Sequence, residues 1–201
     1  MLSKVSCGAE SAKSIRRPLV KWAGGKWWFA ARYRSLFPDS YRRYIEPFVG
    51  GGSIFFRMTP RQAILNDLNG ELIQSYAALR DDWKKIERLL REHQRLHCVE
   101  HYYKVRNAQP RGRFEKAARF IYLNRTCWNG LYRVNLAGDF NVPKGTKDTV
   151  VFPYDLFEGL ASALNGADLR EGDLEPVFDA AVSGDRLFLD QRVRHLRHAP
   201  R

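Results

Sequence analysis

The most constraining feature of this sequence is a run of three glycines, Gly50 to Gly52, set between an apolar stretch and a helical one. Residues 41–48 include the apolar side chains of Tyr44, Ile45 and Phe48, and Pro47 ends the run, which predicts a short β-strand just before the glycines. Ser53 can cap a short helix, and residues 63–67 form a second apolar run that ends in Asn-Asp. Strand, glycine loop, helix and strand in this order predict the opening of a doubly wound α/β sheet.

The segments that follow predict further helices and a last strand. From Glu71 to about Gln94, apolar residues recur at helical spacing. Residues 114–124 and 152–163 predict two more helices, whereas residues 125–145 are rich in Asn, Gly, Arg and aromatic side chains with little helical period. Residues 186–190 predict a buried strand that carries an acid at its carboxyl end.

The net charge of the chain narrows the classes of molecule that it is expected to bind. The 201 residues include 34 basic and 22 acidic ones, for a net charge of +12. This excess favours nucleic acid as a partner, with an ordinary basic surface as the alternative. No apolar run approaches the ~18 residues of a membrane span, and residues 1–17 predict a disordered lead-in rather than a signal peptide. Three scattered cysteines suit a reducing compartment, so we expect a cytoplasmic protein.

A ligand of an open parallel sheet lies outside the carboxyl ends of its strands. Here those ends carry the glycine run and Asp67, whose carboxylate can accept hydrogen bonds from two ribose hydroxyls. The dinucleotide pattern G-x-G-x-x-G fails at Phe55, and a phosphate-binding P-loop would need Gly and Ser or Thr where Val20 and Trp27 stand. An adenosine without phosphates remains, as in S-adenosylmethionine. A tight turn with a capping aspartate is the alternative.

At four motifs, in the family's order, the chain resembles the Dam-type (D12 class) DNA adenine-N6 methyltransferases. The motifs are LVKWAGGK at 19–26, EPFVGGGS at 46–53, NDLN at 66–69, and the block YLNRTCWNGLYRVN with GDFNVP at 122–143. The similarity covers roughly residues 18–190. It implies a Rossmann-like S-adenosylmethionine-dependent methyltransferase sheet, C-terminally incomplete, with an inserted, mostly helical DNA-recognition domain.

The resemblance also implies which residues bind the cofactor S-adenosylmethionine. Lys26 would pair with the methionine carboxylate, Asp67 would hold the ribose, and the loop after the first strand would pass beneath the cofactor. The implied cofactor residues are Trp22, Lys26, Glu46, Pro47, Phe48, Gly50, Asp67 and Asp190.

Residues of the fourth motif are implied to contact duplex DNA, together with one lysine of the first. An arginine can donate two hydrogen bonds to guanine, and an aromatic or leucine side chain can fill the gap left by a displaced base. The implied DNA-binding residues are Lys21, Arg125, Trp128, Asn129, Leu131, Arg133 and Pro143. The residues alone leave an alternative. In it, Trp128 and Leu131 are core residues and Arg133 is a surface charge. The resemblance suggests a short adenine-containing target similar to GATC.

The catalytic motif is matched at one position. The family has Asp-Pro-Pro-Tyr after the fourth strand, where the aspartate accepts a hydrogen bond from adenine N6. Residues 189–193 of this chain are Leu-Asp-Gln-Arg-Val, so Asp190 is the one matching candidate for the catalytic group. We therefore expect an incomplete catalytic domain at 18–71 and 151–190, a recognition domain at 72–150 and an aberrant basic tail at 191–201.

Two functions follow. The first is methyl transfer to adenine N6, in a restriction-modification or solitary role, by a monomer of bacterial or phage type associated with the nucleoid. The second is a non-catalytic remnant that retains duplex DNA or cofactor binding. The failed dinucleotide pattern argues against a nicotinamide oxidoreductase. His93, His97 and His101 share helical spacing, but we expect no metal site.

Overall fold

A computed structural model describes residues 17–25, 27–32 and 40–187 of the chain. Within these residues, four strands form one parallel sheet: β1 (Tyr44–Glu46), β2 (Ala63–Asp67), β3 (Ala167–Glu171) and β4 (Arg186–Leu187). β1 lies between β2 and β4, and β3 pairs with the other side of β2. The register aligns Ile45 with Ile64 and Leu187, and Asp67 with Glu171. The predicted fold class, an α/β sheet of the Rossmann-like methyltransferase type, is confirmed.

Helices connect and cover the strands. They are α1 (Trp27–Arg32), α2 (Ser53–Met58), α3 (Gly70–Asp81), α4 (Trp83–Leu96), α5 (Val99–Asn107), α6 (Arg113–Thr126), α7 (Phe157–Leu164) and α8 (Glu175–Asp179). A 3-10 turn at Trp128–Gly130 follows α6. Among the described residues, no helix has both the length and the apolar character to cross a membrane.

The sheet separates two apolar clusters. Tyr44 and Leu65 lie in the main core, which also holds buried side chains of α3, α6 and α7. Ile45 and Ile64 alternate with them along the strands and pack instead against Val177 of α8. Burial on both faces accounts for the continuous apolar character of β1 and β2.

Several predicted elements shift in the structure. The long helix expected from Glu71 to Gln94 is two helices, because Asp82 takes an extended conformation (φ −153°) and its side chain caps α4 by accepting from the Lys85 N–H. Ser53 does not cap α2: Gly52 occupies that position with φ 64° and no side-chain cap. The helix expected from residue 152 begins at Phe157.

Four elements were not predicted: α1, α5, β3 and α8. β3 has the sequence ADLRE, with only Ala167 buried, because it pairs with β2 alone among the described strands. Because the strand is half-exposed, it tolerates charged residues. Its sequence therefore lacks the apolar pattern that predicts a strand. The predicted last strand is described only at Arg186–Leu187, and its residues 188–190 lie outside the described residues.

Candidate functional site

A tight glycine turn lies at the carboxyl end of β1. Gly50 and Gly52 have φ of 46° and 64°, a left-handed conformation that favours glycine. The Tyr76 hydroxyl donates to the Gly50 carbonyl at 2.7 Å, and the Val49 N–H donates to the Asn66 carbonyl at 2.8 Å. These bonds fix the turn to both α3 and β2.

Asp67 joins the glycine turn to the end of β2. One carboxylate oxygen accepts from the Gly50 N–H at 2.9 Å, and the other accepts from the Asn69 N–H at 3.0 Å. These two bonds hold the carboxylate between the glycine turn and the start of α3. Asp67 is half-buried, so its carboxylate combines a fixed orientation with partial exposure at the carboxyl end of β2.

Trp22 lies directly on the glycine turn. A Cβ atom at Gly50 would be 2.5 Å from the Trp22 Cδ1 atom, and one at Gly51 would be 3.3 Å from the Trp22 Cβ. The indole stacks on the ring of Tyr132, with centroids 5.8 Å apart and planes 20° apart. The glycines thus allow an aromatic wall to form over the ends of β1 and β2.

The other residues of the loop are less accessible. Glu46 is 7% exposed and accepts from the Tyr44 hydroxyl at 2.6 Å. Burial, followed by the nearby Glu46 carboxylate, raises the pKa of Tyr44 well above its ordinary value. Pro47 is buried and Phe48 half-buried. Glu46 and Pro47 are therefore buried at the carboxyl end of β1, just before the glycine turn.

A cleft of about 430 Å³ opens beside Trp22. Its lining includes Lys21 and Trp22 from the first motif, and Asn129 and Leu131 from the fourth. One residue predicted to bind a cofactor, Trp22, therefore lines the same cavity as three residues predicted to contact DNA.

Asn124 fixes the first motif against the fourth. Its side-chain amide accepts from the Lys21 N–H and donates to the Lys21 carbonyl, each at 2.8 Å. Gly130, with φ 66°, packs so closely that an added Cβ would be 2.6 Å from the Lys21 Cδ atom. The aliphatic part of Lys21 therefore lies along the turn that follows α6.

The segment after this turn forms an exposed hairpin. Val134 and Phe140 form an antiparallel bridge, and a second bridge joins Cys127 to Lys144. Trp128 is 52% exposed and Leu131 45% exposed, so neither is a core residue. Both lie on the same projecting segment as the remaining predicted DNA contacts, namely Asn129, Arg133 and Pro143, which are also exposed.

The structure corrects one of the predicted DNA contacts, Arg125. Its side chain is 4% exposed and forms a two-pronged ion pair with Asp155, with N–O distances of 2.6 and 2.9 Å. It also donates to the carbonyls of Leu19 and Val150. Because these partners occupy its donors inside the protein, Arg125 holds the segments before and after the cleft together and does not face DNA.

Lys21 has a basic neighbour. The side chain of Lys147 lies close to that of Lys21, and this close approach, burial and the like charge lower the pKa of Lys21. Two exposed cationic groups therefore converge at the rim of the cleft. Lys26 and Asp190, the predicted carboxylate partner and catalytic group, lie outside the described residues.

The three histidines lie between α4, α5 and α6. His93 Nδ1 is 3.0 Å from His101 Nε2, while His97 contacts the Tyr122 hydroxyl at 2.8 Å and Asp148 at 3.2 Å. No group of three or more metal-ligating side chains occurs within the described residues. Here the imidazoles link helices to one another and to the segment after the hairpin.

Comparison with known protein families identifies the family of this chain. The family model for D12 class N6 adenine-specific DNA methyltransferases matches residues 22–190. The chain belongs to this family.

This D12-class chain has relatives in bacteria and phages. It is 37% identical over 183 residues to a type II methyltransferase of Lactococcus lactis subsp. cremoris, covering 87% of this chain and 64% of the relative. It is 38% identical over 183 residues to a DNA N-6-adenine-methyltransferase of Escherichia phage P1, covering 89% and 24%. A DNA adenine methylase of Haemophilus influenzae is 32% identical over 184 residues, covering 89% and 64%. The chain thus spans less than two thirds of the length of each of these relatives.

Proposed function

We propose that this chain transfers a methyl group from S-adenosylmethionine to N6 of adenine in duplex DNA. The observation that carries the proposal is the cleft in which Trp22 meets Lys21, Asn129 and Leu131. A methyltransferase acting on a base needs its cofactor pocket and its nucleic-acid surface to share one cavity. Family membership and the names of the relatives support adenine as the substrate.

The cofactor pocket is proposed to lie over the glycine turn. S-adenosylmethionine supplies an electrophilic methyl group on a sulfonium centre. Asp67 suits its ribose, because a half-buried carboxylate oriented by the N–H groups of Gly50 and Asn69 at the end of β2 is the group that binds ribose hydroxyls in sheets of this type. Trp22 offers an apolar wall, with Glu46, Pro47 and Phe48 beneath, and Lys26 is proposed to pair with the methionine carboxylate.

The exposed hairpin is proposed to approach the duplex. Trp128 and Leu131 are large apolar side chains held at the surface, suited to fill the space left by an unstacked base. Arg133 can donate to guanine, and its present bond to Asn141 (3.1 Å) orients the guanidinium. Lys21, Asn129 and Pro143 complete the proposed contacts.

Asp190 is proposed to act on the flipped adenine. Its carboxylate would accept a hydrogen bond from the N6 amino group, which directs the nitrogen lone pair towards the methyl donor and makes the proton easier to lose. We propose the division into catalytic segments at 18–71 and 151–190 and a recognition segment at 72–150. A short GATC-like target, a monomeric state and a bacterial or phage cytoplasmic setting near the nucleoid belong to the same proposal.

Methyl incorporation tests the function directly. Radiolabelled S-adenosylmethionine is incubated with an adenine-containing duplex and with the same duplex carrying N6-methyladenine at every adenine. The proposal expects label only in the first duplex, and none with Asp190→Ala. Asp179→Ala, an exposed acid at the end of α8, should retain the activity.

The outcomes separate the alternatives. Salt-dependent duplex binding by a folded chain without methyl transfer would overturn the catalytic proposal and favour the binding-only function. Neither binding nor transfer by a chain with a native circular dichroism spectrum would overturn both.

A further inference from the structure

The exposed face of α4 carries a single row of basic side chains. Lys84, Arg88, Arg91 and Arg95 are spaced by four, three and four residues, and all four are exposed. At 3.6 residues per turn they fall within about 60° of arc, and the row is about 16 Å long. Ile86 and Leu90 occupy the buried face of the helix. We call these four side chains the α4 row.

Acidic neighbours neutralise the α4 row only in part. Glu87 pairs with Arg91, with an N–O distance of 2.6 Å. Glu115 lies within electrostatic range of Arg88 but forms its own ion pair with Lys85 at 3.4 Å. Within α4 itself, five basic residues stand against two acids. The helix therefore presents an excess of positive charge along one line.

The carboxyl end of α4 is joined to a segment that runs close to the cleft. Lys21 lies at the cleft rim and has Lys147 as a close basic neighbour. The next residue, Asp148, accepts through its carbonyl from the Gln94 side chain at 2.9 Å, and Gln94 immediately precedes Arg95. Gln94 also accepts from the Val150 N–H at 2.6 Å. The carboxyl end of α4 is thus held against the segment that leaves the proposed DNA-binding hairpin.

We propose that the α4 row binds the phosphate backbone of duplex DNA that flanks the target site. This inference rests on the proposed function, since it extends the same DNA footprint away from the cleft. A linear polyanion is the partner that suits a linear row of cations, and phosphates recur along duplex DNA with a rise of about 3.4 Å per strand. A 16 Å row spans roughly five base pairs. The contacts are with phosphates, so they add affinity and not sequence preference.

Duplex length and salt provide the test. The triple variant Lys84→Gln, Arg88→Gln and Arg95→Gln removes three charges, keeps good helix formers and leaves the Arg91–Glu87 pair intact. The matched control is Arg42→Gln, Arg61→Gln and Arg186→Gln, which removes three exposed charges next to the amino-terminal ends of the strands. Binding is measured by fluorescence anisotropy on a 10-base-pair and a 30-base-pair duplex with the same central target.

The expected result is specific to the long duplex. The α4 variant should lower the slope of log affinity against log salt by roughly 2 to 3 on 30 base pairs. It should leave binding to 10 base pairs close to that of the unaltered chain. The control variant should change the salt dependence of binding only slightly, and equally for the two duplexes.

Four results would overturn the inference. One is an α4 variant that matches the control, and another is an equal loss on both duplex lengths. The third is an unaltered chain that binds no duplex, which also overturns the proposed function. Unchanged slopes for the α4 variant alongside active methyl transfer would contradict the inference while leaving the proposed function standing.

Discussion

The side-chain amide of Asn124 pairs with both backbone groups of Lys21, across 103 positions of sequence, with two hydrogen bonds of 2.8 Å. Asn124 is fully buried. It holds the first motif in register with the fourth, as a neighbouring strand would. Two distant parts of the chain therefore meet at the cleft in a fixed relation.

Replacing Asn124 with alanine should destabilise the protein. The two hydrogen bonds to Lys21 and a longer one to the Gly130 carbonyl (3.4 Å) are lost in a buried setting, so the free energy of unfolding should fall by about 2 kcal/mol. Urea unfolding followed by circular dichroism measures this. Asn107→Ala, at an exposed helix end, is the control and should remain within about 0.5 kcal/mol of the original protein. Equal stability of the two variants would contradict the anchoring role.

Replacing Gly50 with alanine should displace Trp22. The new methyl group would meet the indole at 2.5 Å, and φ of 46° adds backbone strain. Gly138→Ala supplies a control, because its φ of 84° brings strain but nothing lies within 4 Å. Calorimetry should show a loss of about 1 kcal/mol of stability for Gly138→Ala, and titration should show weaker binding of S-adenosylmethionine for Gly50→Ala alone. Unimpaired binding by Gly50→Ala would contradict the proposed pocket.

Substitutions at Arg125 and at Arg133 should have different effects, the first on stability and the second on DNA binding. Arg125→Ala leaves Asp155 as an unpaired buried charge and should cost about 3–5 kcal/mol of unfolding free energy. The double variant Arg125→Met, Asp155→Leu should recover part of that loss, since no lone charge remains. Arg133→Ala should keep stability within about 0.5 kcal/mol yet weaken duplex binding. Chemical denaturation and anisotropy measure the two effects, and a destabilised Arg133→Ala would refute the separation.

Stability should fall on mild acidification because of His93. Burial, followed by the nearby His101, lowers the pKa of His93 from 6.5 to about 4. The folded state therefore favours the neutral imidazole: stability is full above pH 6.5 and declines as pH falls towards 4. Between pH 7 and pH 5 this amounts to ~2 kcal/mol.

The matching variant is His93→Gln, which removes the titrating group. Its unfolding free energy, measured in urea at both pH values, should fall less than that of the unaltered chain. Equal losses for the two proteins would contradict a role for His93.

The sequence predicts those parts of the fold where local signals and burial agree. The runs that became β1 and β2 are apolar because both faces are covered, and Asn69 caps α3 by accepting from Leu72 at 3.0 Å. β3 has no such signal, since an exposed position tolerates charge. Asp82 breaks the expected long helix because a short polar side chain caps the next helix as readily as it continues the first.

The site could be predicted in part. Motif order and the rule for parallel strands brought Gly50 and Asp67 together, and the structure shows their hydrogen bond. The assignment of Arg125 failed because the exposure of an arginine depends on a partner thirty positions away. Tyr132 stacking on Trp22 was missed for the same reason, since contacts between distant segments leave no local pattern in the sequence.

The pairing of Ala63 with Ala167 has a consequence for how the chain reaches its native state. A parallel crossover needs only a dozen or so residues, whereas roughly a hundred separate these two strands. Closing the longer loop costs about 2 kcal/mol more in chain entropy. Helices α3 to α7 lie within that loop and contact one another, so their early assembly shortens the effective distance between the strands. Sheet completion should therefore be a late kinetic event that follows consolidation of the helical insertion.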